Sequence, residues 1–385
     1  MVRRKFMSQT FLGMAGLAAG RLKGFPFGRM GAPGVSAPSK NAGGIQERAV
    51  SPKARELHTK AIIIDGHNDS LIEHWARKES YDLGRDWPAY HADLARMKRG
   101  GLTAVNSMVG DSNLVQGLEL WSAMFENLEK HPGDFLLVLS AEDIPRAKKE
   151  GKIGLIGQLE GCAMLSGNLR VLQTLHKLGV RVAGLTHGEG GGEFHLQPSR
   201  SPFGYGTPAD REAARKETPG LTEFGRDVVR ELNRLGIVVD LAHANDAAFH
   251  EALEISSKPV IFSHGNAFAL SPHWRNLTDE QLKALAANGG VIGVVTYPAF
   301  IDQSPAKQTL QRLVDHIEHV CELVGDDHVG FGSDYDGMGS AAPVIPSYGE
   351  LPWLTEAMLD RGFTESTILK FWGGNFLRVM RKAGA

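Results

Sequence analysis

The chain has 385 residues, 42% of them hydrophobic, and a formal net charge of only −2. That length can bury a large single core, and no block of like charge offers a face to nucleic acid or to an anionic membrane. The two cysteines, Cys162 and Cys321, rule out a disulfide framework, and neither sits in a CxxC pair.

Residues 1–37 read as an export signal. Arg3-Arg4-Lys5-Phe6-Met7 is a twin-arginine start, Thr10 to Gly20 is mildly apolar, and Val35-Ser36-Ala37 offers a small-residue cleavage site. The apolar stretch is too short to span a bilayer, so the expected destination is the periplasm, without a membrane span. Residues 38–50 are small and polar, and read as a linker into a domain over 51–385.

From there, short β-branched apolar runs alternate with longer stretches of helical period. The runs are Ala61–Asp65, Leu102–Ser107, Ile153–Leu159, Val180–Thr186, Ile237–Leu241, Pro259–Ser263, Val291–Thr296 and His328–Ser333. Between them, Phe224, Val228, Leu232 and Leu235 recur at helical spacing before Gly236, and Thr278 to Gln281 forms a capping box ahead of Leu282 and Leu285. Nearly continuous apolar strands separated by helices imply a parallel sheet covered on both faces, and eight such units imply an α/β fold of the (β/α)8 TIM-barrel type. An open doubly wound sheet lacks its GxGxxG after the first strand. One stretch, Gly188 to Gly220 after the fourth predicted strand, is rich in Gly, Pro and Ser without clear period, and reads as a long lid or binding loop.

Polar residues gather just past the strand ends. The first predicted strand leads into Asp65-Gly66-His67-Asn68-Asp69, the third into Glu160, the fourth into His187, the fifth into His243, the sixth into His264 and the eighth into Asp334. In a barrel all these ends converge on one face, where barrel enzymes place their active sites. Residues two apart in an extended segment share a side, so one metal ion can take both His67 and Asp69. Imidazole and carboxylate without thiolate suit a catalytic zinc site with open positions. His67, Asp69, Glu160, His243 and His264 exceed what one tetrahedral ion needs, so two Zn2+ ions bridged by Glu160 are expected. Asp334 is then the candidate proton shuttle, His187 a hydrogen-bond donor to a developing oxyanion, and Arg275 a bidentate partner for a substrate carboxylate.

These stretches resemble the membrane dipeptidase (renal dipeptidase) family of amidohydrolase-type barrels, from about Ala61 to Arg381. The resemblance is carried by Asp65 to Asp69, Asp93-Leu94-Ala95-Arg96-Met97 with Gly100-Gly101, Glu160-Gly161 and Leu185-Thr186-His187. It continues through Gly220-Leu221-Thr222, Phe224-Gly225-Arg226, Asn233 to Gly236, Asp240 to His243, Phe262-Ser263-His264 and Gly332 to Gly337. It implies a binuclear zinc peptidase that cleaves dipeptides with a metal-bridging hydroxide, tolerates a C-terminal D-residue and forms a homodimer. It carries the metal ligands onto His67, Asp69, Glu160, His243 and His264, the substrate-carbonyl histidine onto His187, the carboxylate-binding arginine onto Arg275 and the catalytic aspartate onto Asp334. Where the family commonly has Asn after the histidine at 187, this chain has Gly188, then Glu189 and three glycines. That departure keeps a rival reading in play, a related amidohydrolase acting on N-acyl amino acids, lactams or lactones. A binding protein with a vestigial metal site is a third reading, opposed by the presence of all five ligand residues and Asp334.

Overall fold

The computed structural model describes residues 48–187, 195, 197–202 and 207–385. The expected export signal and most of the linker lie outside the described residues.

The strands are β1 (Ile64–Asn68), β2 (Ala104–Gly110), β3 (Phe135–Leu137), β4 (Ile153–Leu159), β5 (Val180–Gly184), β6 (Val238–Asp240), β7 (Ile261–Gly265), β8 (Val291–Val294) and β9 (Val329–Phe331). All pairings are parallel, in the order β1-β2-β4-β5-β6-β7-β8-β9. Those eight strands are the eight apolar runs of the sequence, so the expected (β/α)8 barrel is present. The ninth, β3, was not anticipated. Its three residues pair with β4 alone and lie off the barrel path. The long stretch after the fourth predicted strand therefore follows β5.

Burial explains why the runs read as continuously apolar. Every residue of β1, β2 and β4 is buried, because the inner face meets the barrel centre and the outer face meets helices. The inner faces of seven strands supply Ile64, Ala104, Ile156, Val182, Val238, Ile261 and Val291 to one cluster, closed by Phe376, Leu377 and Met380 of the terminal helix Asn375–Ala383. The Phe376 ring passes close beneath Gly66 and Gly330, where an added Cβ would stand 3.0 and 2.7 Å from it.

The β1–β9 seam has no regular ladder and is sealed otherwise. Asn68 bridges Tyr335, the Asp334 N–H donates to the His67 carbonyl at 3.2 Å, and the Asp69 N–H donates to the Tyr335 carbonyl at 2.9 Å. Beneath these, the buried Asp65 carboxylate accepts from the Ser333 N–H (2.7 Å), the Ser333 hydroxyl (2.5 Å), the His67 N–H (3.2 Å) and the Tyr348 hydroxyl (2.5 Å). The seam thus fixes His67, Asp69 and Asp334 relative to one another.

The helix over Glu223–Leu235 ends at Gly236 with φ 78°, and Asp279–Ala287 opens with the Thr278/Gln281 capping box, both as the sequence indicates. The expectation of an irregular Gly188–Gly220 stretch is corrected in part. Residues Pro208–Glu217 form a helix with a capping box between Thr207 and Asp210. Its sequence, PADREAARKE, lacks an apolar stripe but is rich in helix formers, so propensity and capping were the available signals. Among the described residues, no helix is long and apolar enough to cross a membrane.

Candidate metal centre and active site

At the C-terminal ends of the strands the structure gathers all eight predicted site residues. His67 and Asp69 lie at the end of β1, Glu160 after β4, His187 after β5, His243 after β6, His264 in β7, Arg275 in the segment after β7 and Asp334 after β9. All are buried except His187 and Asp334, which are partly so. His243 (φ 66°), Asp334 (φ 58°) and Asp336 (φ 68°) hold left-handed backbone conformations, which non-glycine residues adopt at a cost and which recur at functional sites.

Glu160 is the hub. Its Oε1 lies 3.3 Å from His67 Nε2, 3.2 Å from His243 Nε2 and 3.9 Å from His264 Nε2, and its Oε2 lies 3.5 Å from His187 Nδ1. Asp69 Oδ2 is 3.1 Å from His67 Nε2. His67 and His264 stack at 4.2 Å, and the Nε2 atoms of His243 and His264 stand 3.0 Å apart. Among the described residues, three triplets bring one donor atom each within 4.8 Å of one another: His67–Glu160–His264, Glu160–His187–His243 and His67–Asp69–Asp334.

Hydrogen bonds behind the imidazoles decide which nitrogen faces the centre. Gln158 Nε2 donates to Asp240 Oδ2 at 3.0 Å, so its Oε1 is left to accept from His67 Nδ1–H at 2.8 Å. That leaves His67 Nε2 directed at the Asp69 and Glu160 carboxylate oxygens. His264 Nδ1 is held by the Ser263 hydroxyl at 2.8 Å, and the Ser263 N–H donates to Asp240 Oδ1 at 2.9 Å. Asp240 therefore braces imidazoles on both sides of the barrel. Orienting partners of this kind fix metal ligands as firmly as the ligands themselves do the ion.

Electrostatics point the same way. Burial alone would lower the basicity of His67, but Asp69 and Glu160 overcome it and hold His67 well above the usual imidazole range. Burial, reinforced by Arg275, pushes His243 and His264 well below it. Burial would raise Glu160, yet the surrounding imidazoles, chiefly His187 and His67, hold it well below the usual carboxylate range. Burial drives Asp334 up to about 7, with Asp69 and Glu160 adding to the rise against His67 and Arg275. Imidazoles and crowded carboxylates converging on one space, with the buried Asp69 Oδ1 lacking any hydrogen-bond partner, are the donor set a divalent cation satisfies. The residues present fit such a group.

The centre opens into a cavity of about 660 Å³. Asp69, Glu73, Asp111, Asp334 and Asp336 line it from the ends of β1, β2 and β9, which are neighbours around the barrel. Arg211, His273, Trp274, Arg275, Tyr297 and Phe300 line it from the segments after β5, β7 and β8. The strand order sets β2 opposite β7, so Asp111 and Arg275 face each other across the barrel. Arg275 is buried, donates through Nη2 to the His264 carbonyl at 3.2 Å, and keeps Nη1 without a protein partner.

Sequence reasoning missed three contributors. Gln158 and Asp240 interrupt two otherwise apolar strands, which was the available signal. Asp111 follows β2 and accepts from His187 Nδ1 at 3.1 Å. With Glu160 it outweighs burial and raises the His187 imidazole to about 9, so His187 is held as a donor.

Comparisons with known proteins place the chain in a family. The family model described as Membrane dipeptidase (Peptidase family M19) matches residues 51–385. Dipeptidase tcpJ of Claviceps purpurea (strain 20.1) is 32% identical over 340 residues, covering 83% of this chain and 76% of that one. A metallo peptidase from Rhodobacter sphaeroides, solved with a phosphinate mimic of the dipeptide L-Ala-D-Ala, superposes with TM-score 0.72 at 25% identity, over 84% of this chain and 99% of that one. An amidohydrolase from Pseudomonas aeruginosa gives TM-score 0.69 at 26% identity, over 86% and 99%. With a family match spanning the whole barrel and the metal-type donor cluster at its mouth, the chain belongs to the membrane dipeptidase family, a family of metal-dependent peptidases.

Proposed function

We propose that the protein hydrolyses the peptide bond of dipeptides, including those with a C-terminal D-residue, at a centre of two zinc ions. The observation that carries the reading is Glu160, whose carboxylate lies within 3.5 Å of His67, His187 and His243 and within reach of His264. His67 and Asp69 would hold one ion, His243 and His264 the other, and Glu160 both. Bound zinc ions would lower the pKa of water and polarise the substrate carbonyl.

The chain's own groups do the rest. Asp334 lies beside the cluster with its carboxyl raised above the usual range, chiefly by desolvation, as suits a group that accepts a proton from the attacking water and returns it to the leaving amine. His187, oriented by Asp111, donates to the carbonyl oxygen as negative charge develops there. Arg275 presents Nη1 to the substrate carboxylate.

The division of charge across the cavity favours a dipeptide over an N-acyl amino acid. A zwitterionic dipeptide sets its ammonium against the acidic arc and its carboxylate against Arg275, whereas an acyl group leaves the acidic arc without a cation. The phosphinate mimic of L-Ala-D-Ala bound to the Rhodobacter sphaeroides relative supports the tolerance for a D-residue. The test is amino-acid release from L,L and L,D dipeptides, set beside N-acyl amino acids, by the zinc-loaded protein. Hydrolysis of acyl amino acids without dipeptides would overturn the reading. We also propose periplasmic export, supported by Arg3 and Arg4. Replacing both with Lys and finding the protein still in the periplasmic fraction would rule out twin-arginine export.

A further inference from the structure

We propose that Arg211 forms a second anion subsite beside Arg275, so that the preferred dipeptides carry a carboxylate side chain, aspartate or glutamate, on their C-terminal residue. The proposal rests on the dipeptidase reading and names its substrate class.

Arg211 sits in the first turn of the Pro208–Glu217 helix, and Pro208, three residues earlier on the same face, lines the cavity with it. The next residue on that face, Arg215, is 3% exposed and anchors the helix. Its guanidinium pairs with Asp246 at 2.7 Å and donates to the Asn276 carbonyl at 3.0 Å and to Gln281 Oε1 at 2.8 Å. Asn276 directly follows Arg275, so Arg215 ties the helix carrying Arg211 to the segment carrying Arg275.

The two guanidiniums share one aromatic support. Arg211 Cζ stands 5.6 Å from the Trp274 ring centroid, and Arg275 Cζ stands 5.8 Å from the same ring. Their field is felt nearby. Burial lowers the His273 imidazole, and Arg275, Arg211 and Arg215 drive it down further, to about 3. One α-carboxylate is matched by one guanidinium fork. A second fork at the same wall matches a second carboxylate branching from the same Cα, which is the geometry of aspartate and glutamate. The acidic residues at the opposite arc cannot serve this group, and they disfavour it at the N-terminal position.

The experiment compares kcat/KM for Ala-Asp and Ala-Asn, which are nearly isosteric and differ in charge, with the C-terminal residue as L and as D. The zinc-loaded wild type, Arg211→Ala and Arg211→Lys are measured. The readout is the acid-to-amide ratio. A charge-assisted contact predicts a wild-type ratio of about tenfold or more, falling toward one in Arg211→Ala and partly retained in Arg211→Lys. A wild-type ratio near one, or a ratio unchanged by Arg211→Ala, overturns the proposal; the second result makes Arg211 a shared α-carboxylate contact instead. Cleavage of Ala-Asn reports on the dipeptidase reading separately. If no dipeptide is cleaved, that reading falls, and the Arg211 proposal is decided by calorimetric binding of free aspartate against asparagine to the same three proteins. Tighter binding of aspartate that is lost in Arg211→Ala upholds it, and equal binding overturns it.

Discussion

Replacing Asp334 with Asn isolates the proton-carrying role from every structural one. The residue holds φ 58°, a conformation Asn tolerates better than most side chains, and its backbone N–H would keep its 3.2 Å bond to the His67 carbonyl. The swap preserves volume, so the seam that fixes His67 and Asp69 stays closed. What disappears is a group able to take and return a proton. Such transfer contributes on the order of 10²–10⁴ in rate, or about 3–5 kcal/mol of barrier at 1.36 kcal/mol per tenfold. The expected result is a fall in kcat of that size with zinc per chain unchanged, read by steady-state kinetics on one dipeptide and by metal analysis of the purified variant. Unchanged activity with zinc retained would refute the reasoning. Loss of zinc along with activity would reassign Asp334 as a ligand, consistent with its place in a triplet with His67 and Asp69.

Other perturbations separate the remaining roles. In Gly337→Ala the new Cβ would lie 2.0 Å from Asp69 Oδ2 and 2.7 Å from Asp334 Oδ1, so zinc content and activity should fall together while the far-ultraviolet spectrum of the barrel is kept. Arg275→Lys loses the bidentate fork, and KM for dipeptides should rise about tenfold or more with a smaller change in kcat; an unchanged KM would remove Arg275 from carboxylate binding. His58 lies far from this chemistry and tests linkage. It is buried, accepts from the Thr355 hydroxyl at 2.7 Å, donates to the Gly100 carbonyl at 2.9 Å, and is pushed by burial down to about 4 from an ordinary value of 6.5. The unfolded chain thus takes up a proton below 6.5 that the folded chain refuses until about 4. Stability conferred by the neutral ring is present above pH 6.5 and lost as pH falls toward 4, by about 2–3 kcal/mol at pH 4.5. Denaturant melts of His58→Gln should show a pH dependence shallower by that amount; an identical slope would refute the assignment.

Much of the barrel was legible because its chemistry is local. A strand buried on both faces must be apolar at nearly every position, so the eight barrel strands stand out as runs, and a histidine or carboxylate directly after such a run is conspicuous. His67, Asp69, Glu160, His187, His243, His264 and Asp334 were all found in that way. The third strand was not, because three residues pairing with β4 alone leave no periodic trace. The helix over Pro208–Glu217 was not, because the buried Arg215 and its pairing with Asp246 hold it where an apolar stripe normally would.

The sequence by itself determined the order of the eight barrel strands, the barrel class and the polar residues that follow those strands, since each follows from composition within a few neighbouring positions. Only the tertiary structure decided how those residues are aimed. The bonds that do so join Gln158 to His67 across 91 positions, Gln158 to Asp240 across 82 and Asp111 to His187 across 76. Hydrogen bonds and Coulomb forces act over a few ångströms whatever the separation along the chain. The tautomer of His67, the polarity of the cavity and the pairing of Arg211 with Arg275 therefore exist only once the barrel has closed.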